Sequence, residues 1–313
     1  MEYVILMVSL VGIVLGADWL VAGAVSIAKK YKVSDFVIGA AIVGVGTSMP
    51  ELVVSFIGAV QGNADVAIGN VVGSNIFNVL GILGITALFF PIAISKDNMK
   101  FEIPFCILVS VLLMLLAMNF FNGTPATIGR LDGLILLLLF AFFMWYSFRR
   151  DMKNAQTSET PVKEENIWMA IGKVAAGLAV LITSCDFFVD NAVSVAKSFG
   201  VNDAFISLTL IACGTSLPEL AASVAAAFRK NTQLALGNII GSNIFNITLI
   251  LGVSSQVMPL TSDGITVVDY LVMIAAVMIT LLLGFKGRIS RVAGGFMFLC
   301  FVGYTWYLLS TQM

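Results

Sequence analysis

Two short patterns rich in oxygen donors each occur twice, at a constant offset of 168 residues. G-T-S-M-P-E at Gly46–Glu51 returns as G-T-S-L-P-E at Gly214–Glu219. G-N-V-V-G-S-N-I-F-N at Gly69–Asn78 returns as G-N-I-I-G-S-N-I-F-N at Gly237–Asn246. All four copies lie in apolar stretches, where an acidic side chain is costly and marks a site by default. Pro50 has no N–H and clashes with the preceding turn, so the helix should kink or break near Gly46–Thr47. Carbonyls freed there are tolerated where protein or a water-filled cavity surrounds them. Those carbonyls, the hydroxyls of Thr47 and Ser48 and the carboxylate of Glu51 are all oxygen donors, and Thr47 and Glu51 are i,i+4 neighbours on one helical face. Thr215, Ser216, Pro218 and Glu219 repeat the arrangement. Ser74 with Asn78, and Ser242 with Asn246, add two more i,i+4 pairs. Hard oxygen ligands suit sodium or calcium. Two acids match one divalent cation in a low-dielectric setting.

Other residues carry plainer readings. Isolated glycines at small-x-x-x-small spacing serve helix packing. A lone Ser or Thr in a membrane helix bonds its own backbone, and Asn78 or Asn246 would also serve as interhelical glue. Asp18, Asp186 and Asp190 lie deep in apolar spans without an oxygen cluster around them, and read as structural pairing or a hydrated vestibule. The four cysteines (Cys106, Cys185, Cys213, Cys300) form no C-x-x-C pattern and read as small core residues. The absence of histidine argues against His-ligated zinc, a Ser-His-Asp triad and histidine proton relays. No aspartate pair stands in an intramembrane protease motif, so the chain does not read as an enzyme.

Elements that position these donors must span a bilayer. The 313-residue chain is 59% hydrophobic and 11% charged, with mean hydropathy +1.01, more apolar surface than a soluble domain can hide. Its net charge of −1 gives no electrostatic footprint for nucleic acid. Ten apolar runs are long enough to cross: 3–27, 35–60, 65–90, 101–120, 127–148, 167–197, 203–228, 233–258, 266–284 and 290–309. The first lacks a basic leader and an A-x-A site, and reads as a mature helix. Arg149–Asn166, mixed in charge with Ser, Thr and Pro, reads as a solvated linker between a first half (1–148) and a second (167–313). With the N-terminus outside, inside loops hold fifteen of the seventeen Lys and Arg residues, and only Arg130 and Lys197 lie outside. That bias supports ten spans, both termini outside and a cytoplasmic linker.

Residues 18–84 align without a gap on 186–252, with nearly half of the positions identical. Five spans, an odd number, separate equivalent helices, so the halves enter the membrane in opposite directions. The expected fold is all-α, two inverted five-helix repeats with broken helices near the midplane. Inverted repeats of this kind are a transporter architecture.

The paired G-T-S-x-P-E and G-S-N-I-F-N signatures, the ten spans and the inverted halves resemble the sodium/calcium exchanger family of the cation/calcium antiporter superfamily, and the short linker resembles its prokaryotic members. The resemblance covers nearly the whole chain. It implies antiport through an inner membrane, sodium moving inward to drive calcium outward, with no cofactor and no obligatory protein partner. Glu51 and Glu219 would be the central calcium ligands, and Thr47 and Thr215 would add backbone carbonyls. Ser48, Ser74, Ser216, Ser242 and the carbonyls of Gly44 and Ala212 would complete flanking sodium sites, with Asn78 and Asn246 lining the centre. Spans 3–27 and 167–197 would slide as a gating pair across the other eight. Some archaeal members and the potassium-dependent branch carry an aspartate where this chain has Asn246, whereas the potassium-independent animal type has asparagine there, so the resemblance implies potassium-independent exchange. Site charge would then be −2, neutralised by calcium and turned to +1 by three sodium ions, a basis for electrogenic exchange. The alternative is a proton/calcium, or other divalent cation, antiporter on the same fold.

Overall fold

The structure, a computed structural model, describes residues 2–119, 124–154, 166–198, 214–261 and 264–312. Among them, eight helical stretches are long and apolar enough to cross a bilayer, and a bent pair makes a ninth. The first is α1 (Glu2–Tyr31). The second is broken into α2 (Asp35–Ile38), a π-helical segment (Gly39–Gly44), α3 (Val45–Thr47) and α4 (Met49–Val60), with a 49° bend. The third joins α5 (Ala64–Ile76) through a π-helical segment (Phe77–Leu83) to α6 (Gly84–Phe89). A π-helical turn (Asn98–Glu102) leads into α7 (Ile103–Ala117), and α8 (Arg130–Asn154) closes the first half.

The second half opens with α9 (Ile167–Ser198). Residues 203–213 of the expected seventh span lie outside the described residues; the remainder includes α10 (Leu217–Phe228). Then come α11 (Thr232–Phe245), a π-helical segment (Asn246–Ile250) and α12 (Leu251–Val257), the counterpart of the third span. Helices α13 (Val267–Gly284) and α14 (Arg291–Gln312) complete the chain.

Equivalent residues end equivalent helices. Asn63 accepts the Val66 N–H at 3.3 Å to cap α5, and Asn231, its counterpart, accepts the Leu234 N–H at 3.1 Å to cap α11. The left-handed turn before each cap is filled by Gly62 in one half and by Lys230 in the other. Short antiparallel pairings cross between the halves: Ile92 and Ala93 face Ile289 and Arg288, while Thr127 and Ile128 face Thr261 and Leu260. Both join loops that strict alternation of spans puts on the same side of a membrane.

The two signature-bearing spans form the centre. The spans Ala64–Phe89 and Thr232–Val257 are 83% and 94% buried, against 11% for Arg291–Thr311. They carry the main core, in which Val71, Ile76, Val79, Ile239, Ile244 and Ile247 pack together with residues of α7 and α13. A second, separate core lies where α1 meets α9 and includes Ala17, Leu20, Val21, Leu181 and Cys185. Large apolar side chains such as Trp19, Trp145, Trp168, Leu299 and Trp306 stay exposed on the outer helices, as a lipid-facing surface requires.

Polar ties at the helix ends correct one expectation. The stretch after Arg149 does not begin as a solvated linker, because α8 continues to Asn154. Arg150 pairs with the buried Glu102, and its guanidinium lies 5.4 Å and 5.8 Å from the ring centroids of Phe101 and Tyr146. Asp151, also buried, accepts the N–H of Ser34 at 2.7 Å and so fixes the entry to the broken span. Asp18 on α1 takes the pairing role: its Oδ1 accepts from Arg229 Nε at 2.7 Å and Nη2 at 2.5 Å, just beyond α10. Gln61 holds the place equivalent to Arg229 in the first half.

Helices α1 and α9 cross on glycines. A Cβ on Gly177 would lie 2.5 Å from the Leu20 nitrogen, and one on Gly16 2.6 Å from the Leu181 nitrogen; both obstacles are backbone. Gly177→Leu is therefore expected to separate the helices and cost about 1–3 kcal/mol, an overpacking penalty. Gly172→Leu, on the same helix with nothing within 4 Å, should leave thermal unfolding of the detergent-solubilised protein unchanged. Equal melting temperatures for both variants would refute the close crossing.

Candidate cation site

The break in the second span falls at Ser48, one residue after the expected Gly46–Thr47. Ser48 sits at φ −84°, ψ 10°, outside helical geometry, and Pro50 occupies the first turn of α4, where its missing N–H costs nothing. Ser216 (φ −92°, ψ 8°) and Pro218 repeat this at the start of α10. Each restart places a glutamate, Glu51 or Glu219, in the first turn of the new helix. There the positive end of the helix dipole favours a carboxylate.

Both glutamates are wholly buried, and each is held by the opposite half. Ser216 donates to Glu51 Oε1 at 2.8 Å, and Ser48 donates to Glu219 Oε1 at 2.7 Å. Ser216 also bonds Ser74 at 3.1 Å. Thr47 donates to the carbonyl of Val43 at 3.0 Å and meets Asn238 Oδ1 at 3.3 Å. The Gly44 carbonyl accepts from Ser242 Oγ at 3.3 Å, from Thr47 Oγ1 at 3.4 Å and from the Ser48 N–H at 3.1 Å. Eight of the twelve residues singled out in the sequence thus hydrogen-bond around the two carboxylates, while Asn78 and Asn246 bond a separate asparagine pair, Asn243 and Asn75. Thr215 is next to Ser216 with a buried hydroxyl, and Ala212 lies outside the described residues.

Several oxygens of these residues have no donor. Among the described residues, Glu51 Oε2, Glu219 Oε2, Asn78 Oδ1, Asn246 Oδ1 and Thr215 Oγ1 are buried without a hydrogen-bond partner. Buried polar atoms of this kind are rare in folded proteins, and four of these five come from matched positions in the two repeats, Glu51 with Glu219 and Asn78 with Asn246. Among the described residues neither carboxylate is paired with a basic side chain; the ion pairs use Arg150 and Arg229. No group of three or more His, Cys, Asp or Glu side chains forms among those residues. The donor set is therefore two carboxylate oxygens backed by amide and hydroxyl oxygens, which fits hard cations such as sodium and calcium.

Six further residues complete the site. Asn70 donates to the Glu51 carbonyl at 3.1 Å and to Ser55 Oγ at 2.9 Å; Asn238 does the same to the Glu219 carbonyl at 3.1 Å and to Ser223 Oγ at 2.8 Å. Asn75 and Asn243 meet at the centre, each donating to the other's backbone carbonyl, at 3.2 Å and 3.0 Å. Sequence reasoning passed over all six. Their signal was present, since each recurs at the same offset of 168, but recurrence alone does not tell a clamp from packing.

Comparison with known proteins agrees with this geometry. The model of the sodium/calcium exchanger protein family matches residues 1–149 and 169–310. The chain is 38% identical over 325 residues to a protein named putative antiporter CaxA from Alkalimonas amylolytica, with 98% of each covered. It is 33% identical over 294 residues to the sodium/calcium exchanger MaX1 of Methanosarcina acetivorans, covering 83% of this chain and 84% of that one. The solved structure of the sodium-calcium exchanger NCX_Mj soaked with zero Na+ and Ca2+ superposes with a TM-score of 0.84 at 29% identity, covering 98% of both chains. A helical membrane protein with two interlocked repeats and a paired-glutamate oxygen site, this chain belongs to the sodium/calcium exchanger family.

Proposed function

We propose that the protein exchanges sodium for calcium across the cell membrane by alternating access, without potassium and with net movement of charge. The observation that carries this reading is the set of five buried, unpartnered oxygens around Glu51 and Glu219. Two carboxylates with no basic partner make closure around an empty site costly, while cations relieve that cost. Loaded states can then change facing and empty ones cannot, which is the condition for coupled exchange. Ser48, Ser74, Ser216 and Ser242, with the carbonyls of Gly44 and Ala212, are proposed to serve sodium. The glutamates, with the carbonyls of Thr47 and Thr215, are proposed to hold calcium, and Asn78 and Asn246 line the centre. One property supports the moving part: α1 and α9 cross on glycines, within a second core that they share with Ile38, Ala222, Ala226 and Leu234.

Charge supports the rest. With asparagine at both Asn78 and Asn246, the acids of the site are the two glutamates, giving −2. One calcium neutralises this, whereas three sodium ions leave +1. A charge carried through the field is worth about 2.3 kcal/mol per 100 mV. The positive-inside bias supports a cytoplasmic 149–166 linker and both termini outside.

Two outcomes test the proposal in proteoliposomes loaded with sodium and exposed to labelled calcium. Glu51→Gln and Glu219→Gln should each reduce sodium-driven calcium uptake to the level of empty vesicles; retained uptake in either sinks the assignment. Wild-type uptake should quicken under an inside-positive potential and should be unchanged when choline replaces potassium. A rate indifferent to voltage, or uptake driven by a pH gradient in place of sodium, would favour the proton-coupled alternative.

A further inference from the structure

We infer that Asn75 and Asn243 are positioning residues that lock the amides of Asn246 and Asn78 with their oxygens, not their NH2 groups, turned toward the cation. The inference rests on the cation-site reading above and concerns residues to which that reading gives no part.

A neutral side-chain amide is two-faced: rotated by half a turn, it offers a donor in place of an acceptor. Beside a cation the wrong face repels, so a site that uses asparagine must settle the rotation. Here the backbone settles it. Asn75 lies against the carbonyl of Asn243, which can only accept, so the Asn75 atom facing it at 3.2 Å must be Nδ2. Asn75 Oδ1 is then the remaining atom and requires a donor, which Asn246 Nδ2 supplies at 3.1 Å. With its NH2 spent there, Asn246 presents Oδ1 to the interior, and that oxygen is buried without a partner. The same chain of compulsion runs through the other half. Asn243 Nδ2 donates to the Asn75 carbonyl at 3.0 Å, Asn243 Oδ1 accepts from Asn78 Nδ2 at 3.1 Å, and Asn78 Oδ1 is left unpartnered.

All four asparagines are buried, at 1% exposure or less, so these bonds are shielded from bulk solvent. Each half supplies the anchor that orients the other half's amide. The four side chains form one closed unit at the junction of the repeats, and rotating one amide would break a bond in the opposite half. Selection of a cation over a neutral or anionic ligand would thus depend on residues that need not touch the ion.

The arrangement predicts a signature that a merely structural role would not produce. Aspartate at position 246 has oxygen at both ends, so its rotation is immaterial and Asn75 has nothing left to orient. Equilibrium binding of labelled calcium to the purified full-length protein reports the site independently of which ion drives transport. Failure of sodium-driven flux with intact calcium binding would overturn the proposed function and leave this test valid. Asn75→Leu should weaken calcium binding about ten-fold, the loss of one favourable contact with a charged group. Added to Asn246→Asp, whose carboxylate leaves Asn75 Oδ1 facing another acceptor, the same substitution should weaken calcium binding no further and can only strengthen it. Should Asn75→Leu fail to fold, Asn75→Ser, too short to reach Asn246, gives the same comparison. Equal loss in both backgrounds, or no loss with Asn246 intact, would overturn the inference.

Discussion

Two carboxylates held out of water, with no basic side chain paired to either, set the terms for everything around them. Each has one oxygen bound by a serine of the opposite repeat and one left free. The bound oxygen fixes position, and the free one is the oxygen proposed to meet a cation. Holding both at once requires a helix that stops and restarts at the right depth, which Ser48–Pro50 and Ser216–Pro218 achieve. It also requires a rigid neighbour, which the buried third span and its counterpart supply. Asn70 and Asn238 grip the backbone at the glutamates themselves, so the restart point is tied to that neighbour.

The inverted repeat is therefore more than an economy of coding. A single half holds one acid, one amide and a set of hydroxyls, but lacks the donors that steady them. Glu51 depends on Ser216, Glu219 on Ser48, and the two inner asparagines on each other's backbone. The site is assembled from loans in both directions, and its symmetry is a consequence of that reciprocity. Among the described residues the symmetry is also incomplete: Thr47 meets Asn238, whereas the equivalent Thr215 hydroxyl has no partner there.

Much of this was legible in the chain. Hydropathy located most of the described apolar helices to within a few residues, because an apolar run cannot end far from a bilayer surface, though α8 runs to Asn154, six residues past its expected end at 148. The repeated signatures located the glutamates and the hydroxyls of Thr47, Ser48, Ser74, Ser216 and Ser242 around them, because polar groups in such spans are conspicuous. What escaped reading depended on distant partners or on backbone register. Asp151 looked solvated, yet it is buried because Ser34, 117 residues earlier in the chain, supplies an N–H. The π-helical segments at 39–44, 77–83 and 246–250 alter helical register without altering composition. Asn75 and Asn243 stood inside the signature, but only the fold shows that their amides face carbonyls of the opposite repeat.

The pairing of Asp18 with Arg229 occurs at one face, and the equivalent place at the other face holds Gln61. If the halves exchange facings as proposed, the two end states are unequal in energy even though the path between them is symmetric. A half-exposed ion pair contributes about 0–1 kcal/mol, enough to shift a resting population by up to about five-fold. Such a tilt leaves the ion site itself untouched and fades as salt screens the pair. A transporter built from two related halves would in this way acquire a preferred resting side from an arginine unmatched in the other half.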